Sequence, residues 1–159
     1  MDLDIDALET SFDHVAVRGD ELMDAFFQRL FAELPSVQPL FYGTDLMRVK
    51  ALLLAALVQL RTSLRDLDSV APALRGVGVR NARYGARPEH YPVVGEVLIA
   101  SMASIAGDEW RVEHEKAWTA AWALVSATMV DGADTVGHVV RPVDAYRGGA
   151  RNACAALAS

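Results

Sequence analysis

Apolar residues recur at three- and four-residue spacing through most of this chain, and no run of alternating β-branched residues interrupts them. Side chains so spaced share one face of an α-helix, so the fold class is all-α. The longest stripe, Leu46, Val49, Leu52, Leu53, Ala56, Leu57, Leu60 and Leu64, is wide enough to require burial along most of its length. Thr44 or Asp45, in the breaker YGTD, is placed to cap that helix.

Punctuation residues divide the rest. A first short helix over Glu9 to Val17 closes at Gly19, and Asp20 caps a second, with Leu22, Phe26, Leu30 and Phe31 inward and Pro35 ending it. Ser36 to Phe41 reads as a short helical turn. A shorter helix follows over Val70 to Asn81, and Pro88, suited to a first turn, opens the next, with Tyr91, Val94, Leu98, Met102 and Ile105 inward. Asp108 caps the last long helix, marked by Trp118, Ala121, Trp122, Val125 and Met129. Beyond Asp131 the periodicity fades. The division is therefore a helical domain over residues 1–131 and a tail or weak helix over 132–159.

With 159 residues, 52% of them hydrophobic, the chain has enough apolar material for one core. Its net charge of −6 offers no basic face to nucleic acid, whose binding rests on Lys and Arg neutralising phosphates. The single cysteine, Cys154, excludes an intrachain disulfide and suits a reducing compartment. The start, MDLDIDALETSFD, lacks the basic and apolar regions of a signal peptide, and the longest apolar run, Ala51 to Val58, is too short to span a bilayer. A cytoplasmic protein without a membrane partner is the expectation. GVGVRN has no strand-to-helix context for a dinucleotide, HEK at 114 to 116 lacks the second histidine of a zinc helix, and no Ser, His and Asp set has a spacing that singles out a triad.

More specific are FFQRLFAELPSVQPLF, the Leu-rich helix after it, RYGARPEHYPVVGEVLIASM and EKAWTAAWALVSATMV. Together they resemble the globin domain of bacterial flavohaemoglobins and their single-domain relatives, over roughly residues 5 to 131. The resemblance implies a globin fold of roughly six to eight helices. It matches Phe41 to the family phenylalanine that stacks on haem. Phe27 falls where a tyrosine commonly donates to bound oxygen, Val49 at the distal gate where the family has glutamine or histidine, and Leu53 on the apolar wall.

On the other side, Asn81 falls where the family has its iron-ligating histidine, and residues 70–89 contain no histidine. Tyr91 matches the tyrosine that hydrogen-bonds that ligand. The glutamate completing the network falls near Ala133, with Asp131 and Asp134 close by. A neutral amide oxygen is a poor partner for haem iron compared with imidazole. Tyr84 could ligate as a tyrosinate, against the preferred reading of an aromatic that packs this corner. His90 takes an outward position in the family pattern, and His14, His114 and His138 read as solvated or capping residues. Trp122, one turn from Trp118, could floor a pocket or be plain core.

The cofactor-binding candidates are thus Phe27, Phe41, Val49, Leu53, Asn81, Tyr84, Tyr91, Val94 and Trp122. The leading expectation is a binding or sensing module without haem, whose cavity is filled by side chains or holds an apolar small molecule such as a linear tetrapyrrole or fatty acid. The alternative is a haem-binding globin with non-histidine axial ligation, acting on O2, NO or peroxide. A third reading is cofactor-independent chemistry around Asn81, Arg83, Tyr84 and Tyr91. The resemblance leaves room for a homodimer through the last two long helices.

Overall fold

Capping bonds decide where the helices begin. The computed structural model of the protein describes residues 3–134, and α1 (Ile5–Ala16) starts earlier than the spacing suggests because the Asp4 carboxylate accepts the Ala7 N–H at 3.0 Å. α2 (Gly19–Glu33) is entered through Arg18, not Asp20, and has no side-chain cap. Pro35 then opens a 3-10 segment, Pro35–Phe41. Asp45, not Thr44, caps α3 (Leu46–Thr62), accepting the N–H groups of Met47 at 3.1 Å and Arg48 at 3.4 Å.

After a 3-10 turn at Leu64–Asp66, α4 (Leu67–Arg83) begins about a turn before Val70. α5 (His90–Ala106) starts after Pro88, which lies in the preceding turn; Pro92 is the proline of its first turn. α6 (Val112–Asp134) is not capped by Asp108, which sits in the 3-10 segment Gly107–Glu109. Its start is closed by His114, whose Nδ1 accepts the Arg111 N–H at 3.1 Å. α6 carries the helix past Asp131 to Asp134; the rest of the tail, with His138 and Cys154, lies outside the described residues. No helix among the described residues is long and apolar enough to cross a membrane.

The core is built from Leu8, Phe12 and Val15 of α1, Leu22 and Met23 of α2, Leu98 and Met102 of α5, and Trp118 and Ala121 of α6. Ser11 is buried with them without cost, since its hydroxyl donates to the Ala7 carbonyl at 2.6 Å and accepts Trp118 Nε1–H at 2.8 Å. Outside, Arg61 pairs with Asp13 and Arg65 with Asp6 and Glu9, each at 3.0 Å. These pairs are largely exposed and contribute little, but they mark where α1 crosses the end of α3.

The remaining helices are arranged around a gap. α4 lies backbone to backbone on α6: a Cβ at Gly78 would sit 1.8 Å from the Met129 carbonyl oxygen, and one at Gly132 would sit 2.3 Å from that of Arg75. α3 packs on α1 and α2 and scarcely meets α4. The leucine stripe of α3 is consequently much less buried than its width requires. Val49 and Leu57 are buried, whereas Leu46, Leu52, Leu53 and Leu60 are half-buried and Ala56 is exposed. Leu53, Ala56, Leu57 and Leu60 border the gap, so no protein atom covers part of their surface.

Candidate functional site

The gap is a cavity of about 340 Å³ between α3 and α4, reaching the start of α5 and the second half of α6. That volume is enough for a small-molecule ligand. Side-chain packing has therefore not filled the space, although the sequence allowed for that. α4 supplies one wall through Val70, Leu74, Val77 and Asn81, which recur at helical spacing and so fall on one face. α2 and the 3-10 segment supply the other through Phe26, Phe27, Val37 and Phe41. Phe27 meets Phe41 edge-on at 5.7 Å between centroids and Phe26 edge-on at 5.0 Å, the arrangement that ring quadrupoles favour. Phe31 braces both Phe27 and Phe41 from behind, at 5.8 and 5.6 Å.

One end of the cavity is polar, where Asn81, Tyr84, His90 and Tyr91 line it. The Asn81 side chain lies beside the Tyr91 hydroxyl, where the end of α4 comes up to the first turn of α5. Burial pushes the Tyr91 phenol above its ordinary value of about 10, against the smaller opposing effect of the Asn81 amide. Trp122 of α6 closes the arrangement, its Nε1–H donating to the Tyr91 carbonyl at 2.7 Å. Its indole lies directly on α5, because a Cβ at Gly95 would fall 2.2 Å from Trp122 Cδ1.

Of the nine candidates, Phe27, Phe41, Leu53, Asn81, Tyr84, Tyr91, Val94 and Trp122 line this cavity together. Val49 does not. It is wholly buried in the core, at 0% exposure, because one turn before Leu53 α3 is held against α2, where Lys50 pairs with Asp24 at 2.8 Å. The expected outward position of His90 is also corrected. This half-buried residue lines the cavity, and its Nδ1 accepts the Arg87 N–H at 3.1 Å across the corner leading into α5. The carboxylates near Ala133 stay outside: Asp131 is 3.6 Å from Arg75 at the surface, and Asp134 is exposed. His14 is exposed as well, and His114 is a buried capping residue set against Trp110.

The arrangement of helices can be set beside known proteins. The model of the family described as Globin matches residues 24–129, from α2 through nearly all of α6. This chain belongs to the globin family. It is 21% identical to the flavohemoprotein of Bacillus subtilis (strain 168) over 128 residues, which is 79% of this chain and 32% of that protein. It is 29% identical to the flavohemoprotein of Candida albicans over 116 residues, 71% of this chain and 29% of that protein. With the flavohemoprotein of Vibrio cholerae the identity is 26% over 115 residues. The globin thus spans about a third of the length of these relatives, between 29% and 32%. Its cavity lies between α3 and α4, and the residues matched to the family model include every wall described above.

Proposed function

We propose that this globin is a binding or sensing module for an apolar small molecule, and that it has lost the iron-ligating histidine, with Asn81 in its place. The placement of the Asn81 side chain beside the Tyr91 hydroxyl, both lining the cavity, carries the reading. In the flavohaemoglobins that the sequence resembles, the counterpart of Tyr91 bonds the iron-ligating histidine; here a carboxamide stands beside it. A metal-bound imidazole is normally oriented by such a neighbour, so the neighbour has been kept while the ligand has changed.

Haem is the group the family implies, and the residues suit it only in part. The apolar walls and the Phe41 ring match a porphyrin's large apolar faces. The donor set does not match its iron. Asn81 offers only a neutral amide, beside the Tyr91 hydroxyl. His90 is the one imidazole among the described cavity residues, and its Nδ1 lone pair is occupied by the Arg87 N–H. The neutral ring then carries its proton on Nε2, where a metal would need a lone pair. On the opposite wall Phe27 and Leu53 provide no donor to steady charge developing on a bound dioxygen.

The test is an absorption spectrum of the purified protein, as isolated and during titration with haemin. No Soret band as isolated, and no saturable shift on titration, is the expected outcome. A sharp Soret band saturating at a single equivalent would overturn the reading.

That outcome would favour the second reading, a haem-binding globin with non-histidine axial ligation acting on O2, NO or peroxide. Its support is Tyr84, a half-buried phenol lining the same cavity. An unchanged haem spectrum in Tyr84→Phe would exclude the phenolate as ligand.

A further inference from the structure

His90 is a cavity residue whose chemistry the apolar reading leaves unused. No Lys or Arg lines the cavity among the described residues, so a polar head there meets only neutral amides and phenols and this imidazole. His90 has one nitrogen committed: Nδ1 accepts the Arg87 N–H at 3.1 Å, which holds the ring against the corner. Nε2–H is then the donor that the ring has left to offer.

The charge around it is also uneven. In a chain of net charge −6, the stretch from Arg80 to His90 carries Arg80, Arg83 and Arg87 against a single acid, Glu89. Arg83 and Arg87 are exposed. A basic corner of this kind raises the local concentration of anions and repels cations. The cavity behind it is lined mostly by apolar side chains, with Gln59 of α3 the polar one away from that corner.

We propose that the ligand is a long-chain monocarboxylic acid, its hydrocarbon between α3 and α4 and its carboxylate accepting the Nε2–H of His90. This rests on the reading of the cavity as an apolar binding site. A single acidic head suits this end of the cavity, where the Tyr84 phenol lines the wall beside His90 and no cation is present to pair a second charge. A ligand with several carboxylates would bring charges that the described walls do not pair.

The experiment uses the full chain loaded with the neutral fluorescent dye N-phenyl-1-naphthylamine, displaced by dodecanoate or by dodecylamine below their micelle concentrations. The two chains match in length and differ in the head. Wild type is expected to prefer dodecanoate by about tenfold or more, the range of a hydrogen bond to a charged group. His90→Phe should lose most of that preference while still taking up the dye, and His90→Gln, which keeps an N–H donor, should retain part of it. An undiminished preference in His90→Phe would overturn the anchor and leave the cavity reading intact.

Failure of wild type to take up either the dye or dodecanoate would overturn the cavity reading itself, and the anchor with it. Should His90→Phe not fold, the imidazole resonances of His90 in wild type decide. A shift with dodecanoate and none with dodecylamine supports the anchor, and no shift with dodecanoate overturns it.

Discussion

Asn81 at the end of α4 and Tyr91 in the first turn of α5 bring their side chains together at the polar end of a largely apolar cavity. This placement predicts the result of restoring an imidazole. In Asn81→His the new ring would stand on the same helix face as Val77 and Leu74, beside a tyrosine able to orient it. Haemin titration of this variant should give a saturable Soret band where wild type gives none. If the variant stays as indifferent to haemin as wild type, Asn81 does not occupy the ligand position.

The contact between α4 and α6 predicts a different kind of failure. A Cβ at Gly78 would lie 1.8 Å from the Met129 carbonyl oxygen, and both sides of that contact are backbone. No rotamer change relieves it, so the helices must separate. Gly78→Ala should destabilise the protein by about 3 kcal/mol, at the upper end of overpacking effects. Denaturant unfolding measures this, and a loss within about 0.5 kcal/mol, the range of ordinary surface changes, would contradict the crossing.

Much of this architecture is legible in the residues, and the misreadings have physical causes. The Asp45 cap follows from a short acceptor ahead of an apolar stripe. The start of α6 was misplaced because His114, not the better cap former Asp108, supplies the acceptor, and its buried ring depends on tertiary packing against Trp110. Pro88 and Pro92 both satisfy the first-turn rule, and only the corner geometry shows which one α5 uses.

At the site, the resemblance names most of the polar residues, but helix periodicity cannot separate a side chain covered by protein from one facing a cavity. Val49 and Leu53 lie on one stripe and have opposite fates, set by how closely α3 approaches α2 at Lys50 and Asp24. The outward position that the sequence suggests for His90 is wrong for a related reason. Its place in the cavity depends on the path of the corner from Tyr84 to Glu89, which has no helical period to read.

Gly95 provides a contrast with Gly78. There an added Cβ would meet Trp122 Cδ1 at 2.2 Å, a side chain and not backbone. The indole can swing away, and because Trp122 lines the cavity, displacement comes at the expense of space or of its bond to the Tyr91 carbonyl. Gly95→Ala should remain folded and lose about 1 to 3 kcal/mol, from overpacking and a strained or lost hydrogen bond. Uptake of the neutral dye should weaken in parallel. Full dye affinity, together with unchanged stability, would show that Trp122 has no part in shaping the cavity.

Tyr91 predicts the alkaline behaviour. Its phenol is raised above the ordinary value of about 10, chiefly by burial, so the folded protein holds this proton at a pH where the unfolded chain has begun to release it. In that window the folded state binds more protons than the unfolded state, and stability falls as pH rises. The contribution is fully present below about pH 9 and is lost progressively above about pH 10. Tyr91→Phe should remove this part of the slope, so that wild type and variant unfolding free energies converge at high pH from a difference that is constant near neutrality. In a spectroscopic titration of the tyrosines, the same substitution should abolish a late-ionising phenol. A parallel offset between the two proteins up to high pH would show that Tyr91 titrates as an ordinary phenol, against the raising effect of its burial.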